Sequence, residues 1–264
     1  MSDTPAPDAP ESQPYFIEQI AEMRRRLEAV RNLPGLERFK DTGAMPAAFF
    51  DGFNAALACY DRIIDFVLEY TGTDQRMHCQ KGCANCCIDL VRGINTAETI
   101  NIYHHVRGWP DVKSIFEYLR DSAEMFMEIL DSKLKPNEFA FGGDDPRVKE
   151  AHVEYNHCKR RCGFLDEDSG CCKIYPVRPI ACRYFFSLDP PETCTPAHPK
   201  YLQRETRMVY LPPEIHELIT EIGQRLDFRP LNYLAGAFCG FASEIMHAKP
   251  IKVIPSEGAA AGEP

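Results

Sequence analysis

Four cysteines fall in one short run, Cys79-Gln80-Lys81-Gly82-Cys83-Ala84-Asn85-Cys86-Cys87. A second, looser set follows further along the chain: Cys158, Cys162, Cys171, Cys172, Cys182 and Cys194. Thiolates gathered at such short separations hold soft metals and iron–sulfur clusters. Cys79, Cys83 and Cys86 share one loop, which can wrap a metal or one corner of a cluster, and Gly82 suits a tight turn there. Adjacent residues point their side chains apart. Cys86 and Cys87 therefore serve either different irons of one cluster or two neighbouring sites, and spacing alone leaves the pairing open. The same spacing opens the radical S-adenosylmethionine enzymes. Those place it early in a βα barrel, and no alternation of strands and helices is visible in this chain.

Disulfides are the competing use of cysteine. Twelve cysteines in 264 residues lie below the ~8–10% of disulfide scaffolds, and a chain this long builds a core without covalent staples. The vicinal pairs Cys86-Cys87 and Cys171-Cys172 favour metal. Cys59 and Cys239 lie in apolar helical patterns and read as core residues. The histidines are scattered. His78 and His157 abut cysteines without forming a ligand pattern, and His104-His105 lack the spacing of a zinc protease helix. No phosphate-binding glycine loop and no Ser-His-Asp set is present.

The second region reads Cys162-Gly163-Phe164-Leu165, then Gly170-Cys171-Cys172-Lys173-Ile174-Tyr175-Pro176-Val177-Arg178-Pro179-Ile180-Ala181-Cys182-Arg183, with Cys194 beyond. Together with the first run it resembles a cysteine-cluster family proposed to chelate zinc or iron, over about residues 75–195. The match falls on Cys79, Cys83, Cys86, Cys87, Cys162, Cys172, Cys182 and Cys194, and on Phe164, Leu165, Gly170, Ile174, Tyr175, Arg178, Pro179 and Arg183. Cys171 sits at a variable position and Cys158 precedes the motif, so each is an extra ligand or a bystander. The resemblance implies a cysteine-held metal, with iron–sulfur and zinc both proposed for such proteins. The family includes a flagellin lysine N-methylase, but nothing in this chain marks a lysine substrate. Arg178 and Arg183 are expected to offset thiolate charge and donate hydrogen bonds to sulfur. Tyr175 is either a hairpin core residue or a further donor. Lys159-Arg160-Arg161 either covers the site or is a solvated helix end.

The elements that must position these residues are mostly helical. Residues 1–14 read as a disordered tail. Amphipathic helices are expected over 14–32 (Ile17, Ile20, Met23, Leu27 and Val30 inward), 46–70 (Phe49, Phe53, Leu57, Tyr60, Ile64 and Leu68 inward), 95–106 and 111–134. Further helices are expected from Asp145-Pro146 into the second cysteine set, over 212–226 and over 230–246. A short extended segment covers 88–94, a loop 135–145 and a small hairpin 162–175. Residues 186–211 look irregular. The expectation is a mainly α protein: one helical domain over 15–248 with a small irregular or β-hairpin cysteine-rich region, then a disordered tail over 249–264.

Composition narrows the function. The net charge is −9 and 44% of residues are hydrophobic. An acidic globular chain is a poor nucleic-acid binder, and no apolar run approaches a membrane span. No signal peptide is visible, so a cytoplasmic setting with reduced thiols is expected. The leading expectation is a [4Fe–4S] cluster or iron serving redox or radical-type chemistry, such as an iron–sulfur oxidoreductase or a methylase-like enzyme. The alternative is a non-catalytic zinc module or metal carrier. Substrate and protein partner are unspecified.

Overall fold

Several helices begin where the sequence supplies a proline or a side-chain cap. In the computed structural model, which describes residues 9–79, 82–135, 138, 145–195 and 198–255, helix α1 spans Pro14–Arg31 and starts on its proline. Helices α2 (Phe39–Thr42) and α3 (Ala47–Tyr70) follow. Helix α4 (Thr96–Val106) opens with a full capping box: Asn95 Oδ1 accepts from Glu98 N, and Glu98 Oε2 accepts from Asn95 N. Helix α5 covers Val112–Asp131 and α6 covers Pro146–His157, the latter capped by Asp145. Helix α7 is Pro213–Arg225, and α8 is Leu234–Gly240, continued by a π turn over Phe241–Ile245. The fold is mainly α, with two small two-stranded sheets among the described residues.

The helices close over an aromatic core. α1 lies along α3 and α7, while α5 packs on α6 and α8. Phe241, fully buried, touches the rings of Phe39, Tyr103 and Phe228. Phe164 meets Phe238 edge-on, tying the second cysteine region to α8. All six inward positions expected in α3 are buried, as are Cys59 and Cys239. In α1 the expected positions Ile20, Met23, Leu27 and Val30 are buried, but the first is not: Phe16 is buried in place of Ile17, which is 55% exposed. The larger ring fills the groove against α3, and Phe16, Ile20 and Met23 keep helical spacing without Ile17.

Three segments depart from the sequence expectations. Residues 186–211 contain a hairpin of β2 (Phe185–Ser187) and β3 (Thr206–Met208), antiparallel with Phe186 opposite Arg207. Three-residue strands flanked by prolines leave too little alternation to read. The last helix starts at Leu234 rather than 230, because Tyr233 is extended and bridges to Arg92. The segment after 249 returns to the fold: Ile251 is buried, and β4 (Lys252–Ile254) pairs in parallel with β1 (Ala44–Pro46). Pro10–Ser12 form a 3-10 turn before α1. The remainder of the expected tails, and most of the 135–145 loop, lie outside the described residues. No described helix is long and apolar enough to cross a membrane.

Truncating Phe241 to Ala should cost about 3–5 kcal/mol. Chemical denaturation of the two proteins measures this directly, and a loss under 1 kcal/mol would show that the aromatic cluster is not the core.

Candidate metal centre

The cysteines arrive on loops that helices and hairpins fix in place. After α3, His78 N donates to Ser187 O (3.3 Å) and Ser187 N donates to Cys79 Sγ (3.2 Å), so β2 anchors the start of the first run. Asn85–Ile88 is a 3-10 turn carrying Cys86 and Cys87. Cys162 N donates to Cys87 O at 2.6 Å, joining the two cysteine regions through their backbones. Leu165 bridges antiparallel to Cys172, closed by a turn in which Asp166 Oδ1 accepts from Ser169 N and Oγ. The tip of that hairpin meets the first run. Gly170 has φ +67°, and a Cβ there would stand 2.5 Å from Gly82 O. Only glycine fits such an approach. Cys182 ends the 3-10 turn Ile180–Cys182, and Cys194 ends Pro191–Cys194, which rests on the Asn85–Ile88 turn.

Several of the sulfurs lie near enough to act on one another electrostatically. The charge of Cys86, if ionised, raises the thiols of Cys79, Cys162, Cys172, Cys182 and Cys194. Around this hub are two groupings. Cys83 acts on Cys79 and Cys194, while Cys162 and Cys172 act on Cys182. Burial is the first cause of the raised thiols at Cys79 (to about 11), Cys162 (to about 12), Cys172, Cys182 and Cys194. Cys86 is raised first by its hydrogen bond with Cys87, then by desolvation. A cation is the natural partner of such a set, because thiolates bind metal after losing their protons. Among the described residues all twelve thiols are free, and no three Cys, His, Asp or Glu side chains stand close enough to form a closed cage. The all-sulfur donor set fits zinc or iron, and binding would have to draw the sulfurs inward.

Two cysteines outside the motif face elsewhere. Cys171 Sγ points to Ser169 O (3.7 Å), and Cys158 Sγ to Glu154 O (3.6 Å) at the end of α6. His78 and His157 are exposed.

The arginines differ from expectation in what they hold. Arg183 is almost completely buried and pairs with Asp61 of α3; its Nε donates to Arg178 O (2.9 Å) and its Nη2 to Pro176 O (3.0 Å). Its hydrogen bonds therefore fasten the loop rather than reach sulfur, although its charge still lowers Cys172. Arg178 stacks on the Tyr175 ring at 4.2 Å, lowers Cys172 and Cys182, and leaves Nε buried without a partner. Tyr175 is 55% exposed, outside any core; its ring supports Arg178.

Four residues near the sulfurs carried no sequence signal of that role. Asp61 lies in α3, far away in the chain. Ser187 sits between Cys79 and Cys194 and bonds to both. Arg204, held over Phe185 (5.1 Å) and Tyr201 (4.1 Å), lowers Cys194. Glu98 is 1% exposed; its Oε1 accepts from Ile180 N (2.6 Å), so the capping box of α4 also sets the turn that ends at Cys182. The Asn95-to-Glu98 spacing of the capping box was the one signal available.

Burial lifts the Glu98 carboxyl to about 7 against the opposing pull of Ile180 and Asn95 N–H. The unfolded chain ionises near ~4.3. Between these values the folded state holds a proton that the unfolded state has lost. Stability from this group is therefore fully present below ~4.3 and declines as pH rises through about 7. Glu98→Gln should flatten that decline in thermal melts run from pH 4 to 8. An unchanged slope would refute the assignment.

A family model described as "Putative zinc- or iron-chelating domain" matches residues 78–202. No curated protein and no solved structure matches the chain significantly. The matched stretch begins one residue before Cys79 and ends after Cys194, so it holds every sulfur of the two groupings around Cys86. Residues 78–202 of this chain are thus similar to that zinc- or iron-chelating domain family, on the stretch that carries the motif cysteines.

Proposed function

We propose that Cys79, Cys83, Cys86, Cys87, Cys162, Cys172, Cys182 and Cys194 hold iron, as a [4Fe–4S] cluster or as bound ions, and that the centre serves a redox or radical-type reaction in a reducing, cytoplasmic setting. The observation that carries this reading is that the two cysteine regions are joined through their backbones, Cys162 N donating to Cys87 O, with Cys86 near enough to act electrostatically on Cys79, Cys162, Cys172, Cys182 and Cys194. One structural zinc closes with four ligands and needs no surplus. A second support is an open cleft of about 360 Å³ beside the first cysteine run, lined by Gly82, Ala84 and Asn85 among others. A cleft of that size leaves room for a small molecule beside the cysteine run.

An iron–sulfur cluster bound here would supply one-electron transfer. The chain's own residues set the conditions for it. Ser187 N–H donates to Cys79 Sγ, and such bonds to sulfur raise a cluster's potential. Arg178 and Arg204 bring positive charge to the two groupings. Arg183 and Glu98 hold the loop on which Cys182 stands.

Anaerobically purified protein should be brown, contain iron and sulfide, and bleach on reduction. Cys86→Ser and Cys182→Ser should lose most of that iron and colour, while Cys158→Ser and Cys171→Ser keep it. Colourless protein with stoichiometric zinc would overturn the iron reading in favour of a structural or carrier role. Retention of metal by both Cys86→Ser and Cys182→Ser would overturn the ligand set.

A further inference from the structure

Three cations follow one another after α6, and the structure divides their work. Arg160 is committed to α5: its Nε donates to Ser122 Oγ (2.6 Å), its Nη2 to Tyr118 O (3.0 Å), and its guanidinium lies 4.2 Å from the Tyr118 ring centre. Tyr118 OH also donates to Arg161 O (2.9 Å), fixing the backbone at the next residue. Lys159 and Arg161 form no ion pair with any described residue, and both line the cleft beside the cysteines. Asn85 and Thr195, a side-chain amide and a hydroxyl, line the same cleft, as do Gly82 and Gly170, and a Cβ on Gly170 would stand 2.5 Å from Gly82 O.

One feature separates this cleft from an ordinary basic surface. No carboxylate is among its described lining residues, although the chain carries a net charge of −9. Lys159 adopts φ +54° just past the end of α6, as Asp227 does (φ +49°) just past α7, the left-handed helix stop at which glycine is the usual residue.

We propose that this cleft binds a small molecule through a phosphate or carboxylate group, held between Lys159 and Arg161 with Asn85 and Thr195 as neutral partners. Its volume lies at the small end of ligand pockets. Arg161 offers a planar fork for two oxygens, and Lys159 a point charge. Anion binding here needs no assumption about which metal the cysteines hold. The role of the anion as substrate of the centre rests on the reading given under Proposed function.

Calorimetric titration of the full chain at low salt, with inorganic phosphate and separately with succinate, tests the site. Saturable binding of either is expected, and the one that binds identifies the group. Lys159→Gly removes the charge while granting the turn its preferred residue, so the thermal midpoint should hold or rise. Arg161→Gln leaves the backbone unchanged. Each should weaken binding about tenfold or more. Absence of saturable binding for both anions, or binding untouched by both substitutions, would overturn the site and leave the two cations as mere offsets to thiolate charge. Metal analysis of the same samples reports on the centre separately: metal-free protein that still binds the anion keeps this site and sinks the metal reading.

Discussion

One buried guanidinium fixes the cysteine segment to the helical body. Arg183 has no exposed side-chain surface, and its ion pair to Asp61 crosses from the segment holding Cys172 and Cys182 to the middle of α3. Its remaining donors grip the carbonyls of Pro176 and Arg178. A charge taken out of water is costly unless every donor finds a partner, so this side chain permits few loop conformations. Lysine could not replace it, having no fork to serve a carboxylate and two carbonyls at once. The turns that end at Cys182 have no regular secondary structure to hold them, and inherit their position from this contact and from Glu98.

Against that fixed frame the sulfurs are gathered at an electrostatic cost. Each thiol that ionises raises its neighbours, and burial raises most of them further. The protein offsets part of this with two arginines resting on aromatic faces, Arg178 on Tyr175 and Arg204 between Phe185 and Tyr201. Neither donates a hydrogen bond to a described sulfur, and two charges do not neutralise a full thiolate set. A cation bound by the sulfurs would supply the remaining compensation, as the proposed function requires.

Much of the scaffold was legible because its signals are local. Pro14, Asp145-Pro146 and Pro212-Pro213 mark helix starts, and the aromatic stripe of α3 repeats over six turns. The cysteine positions were legible because spacing and residue type carry them. The supports were not. Asp61 and Arg183 are far apart in sequence, and an isolated acid on a helix reads as solvated surface. Arg204 and Ser187 depend on a hairpin whose strands are three residues long. The roles expected of Arg183 and Tyr175 differ for a related reason. A motif tells which residues are near a centre, whereas burial and partners decide whether a side chain faces the sulfur or holds up the wall behind it.

The vicinal pair shows how much the local turn decides. In an extended strand Cys86 and Cys87 would point to opposite faces. The 3-10 turn Asn85–Ile88 instead lets the two thiols hydrogen-bond to each other. Cys87 then joins the Cys162 side through its own carbonyl, while Cys86 reaches both groupings. The two sets of sulfurs are therefore joined at one point, and whatever they hold must be shared across it or divided there. Because the hairpin tip at Gly170 presses on Gly82 at the same end, a metal that tightens the first run would also pull on the rim of the cleft lined by Lys159 and Arg161. If the sulfurs take up a metal as proposed, its occupancy and the shape of that opening would be linked through Gly82 and through Gly170, where a Cβ would stand 2.5 Å from Gly82 O.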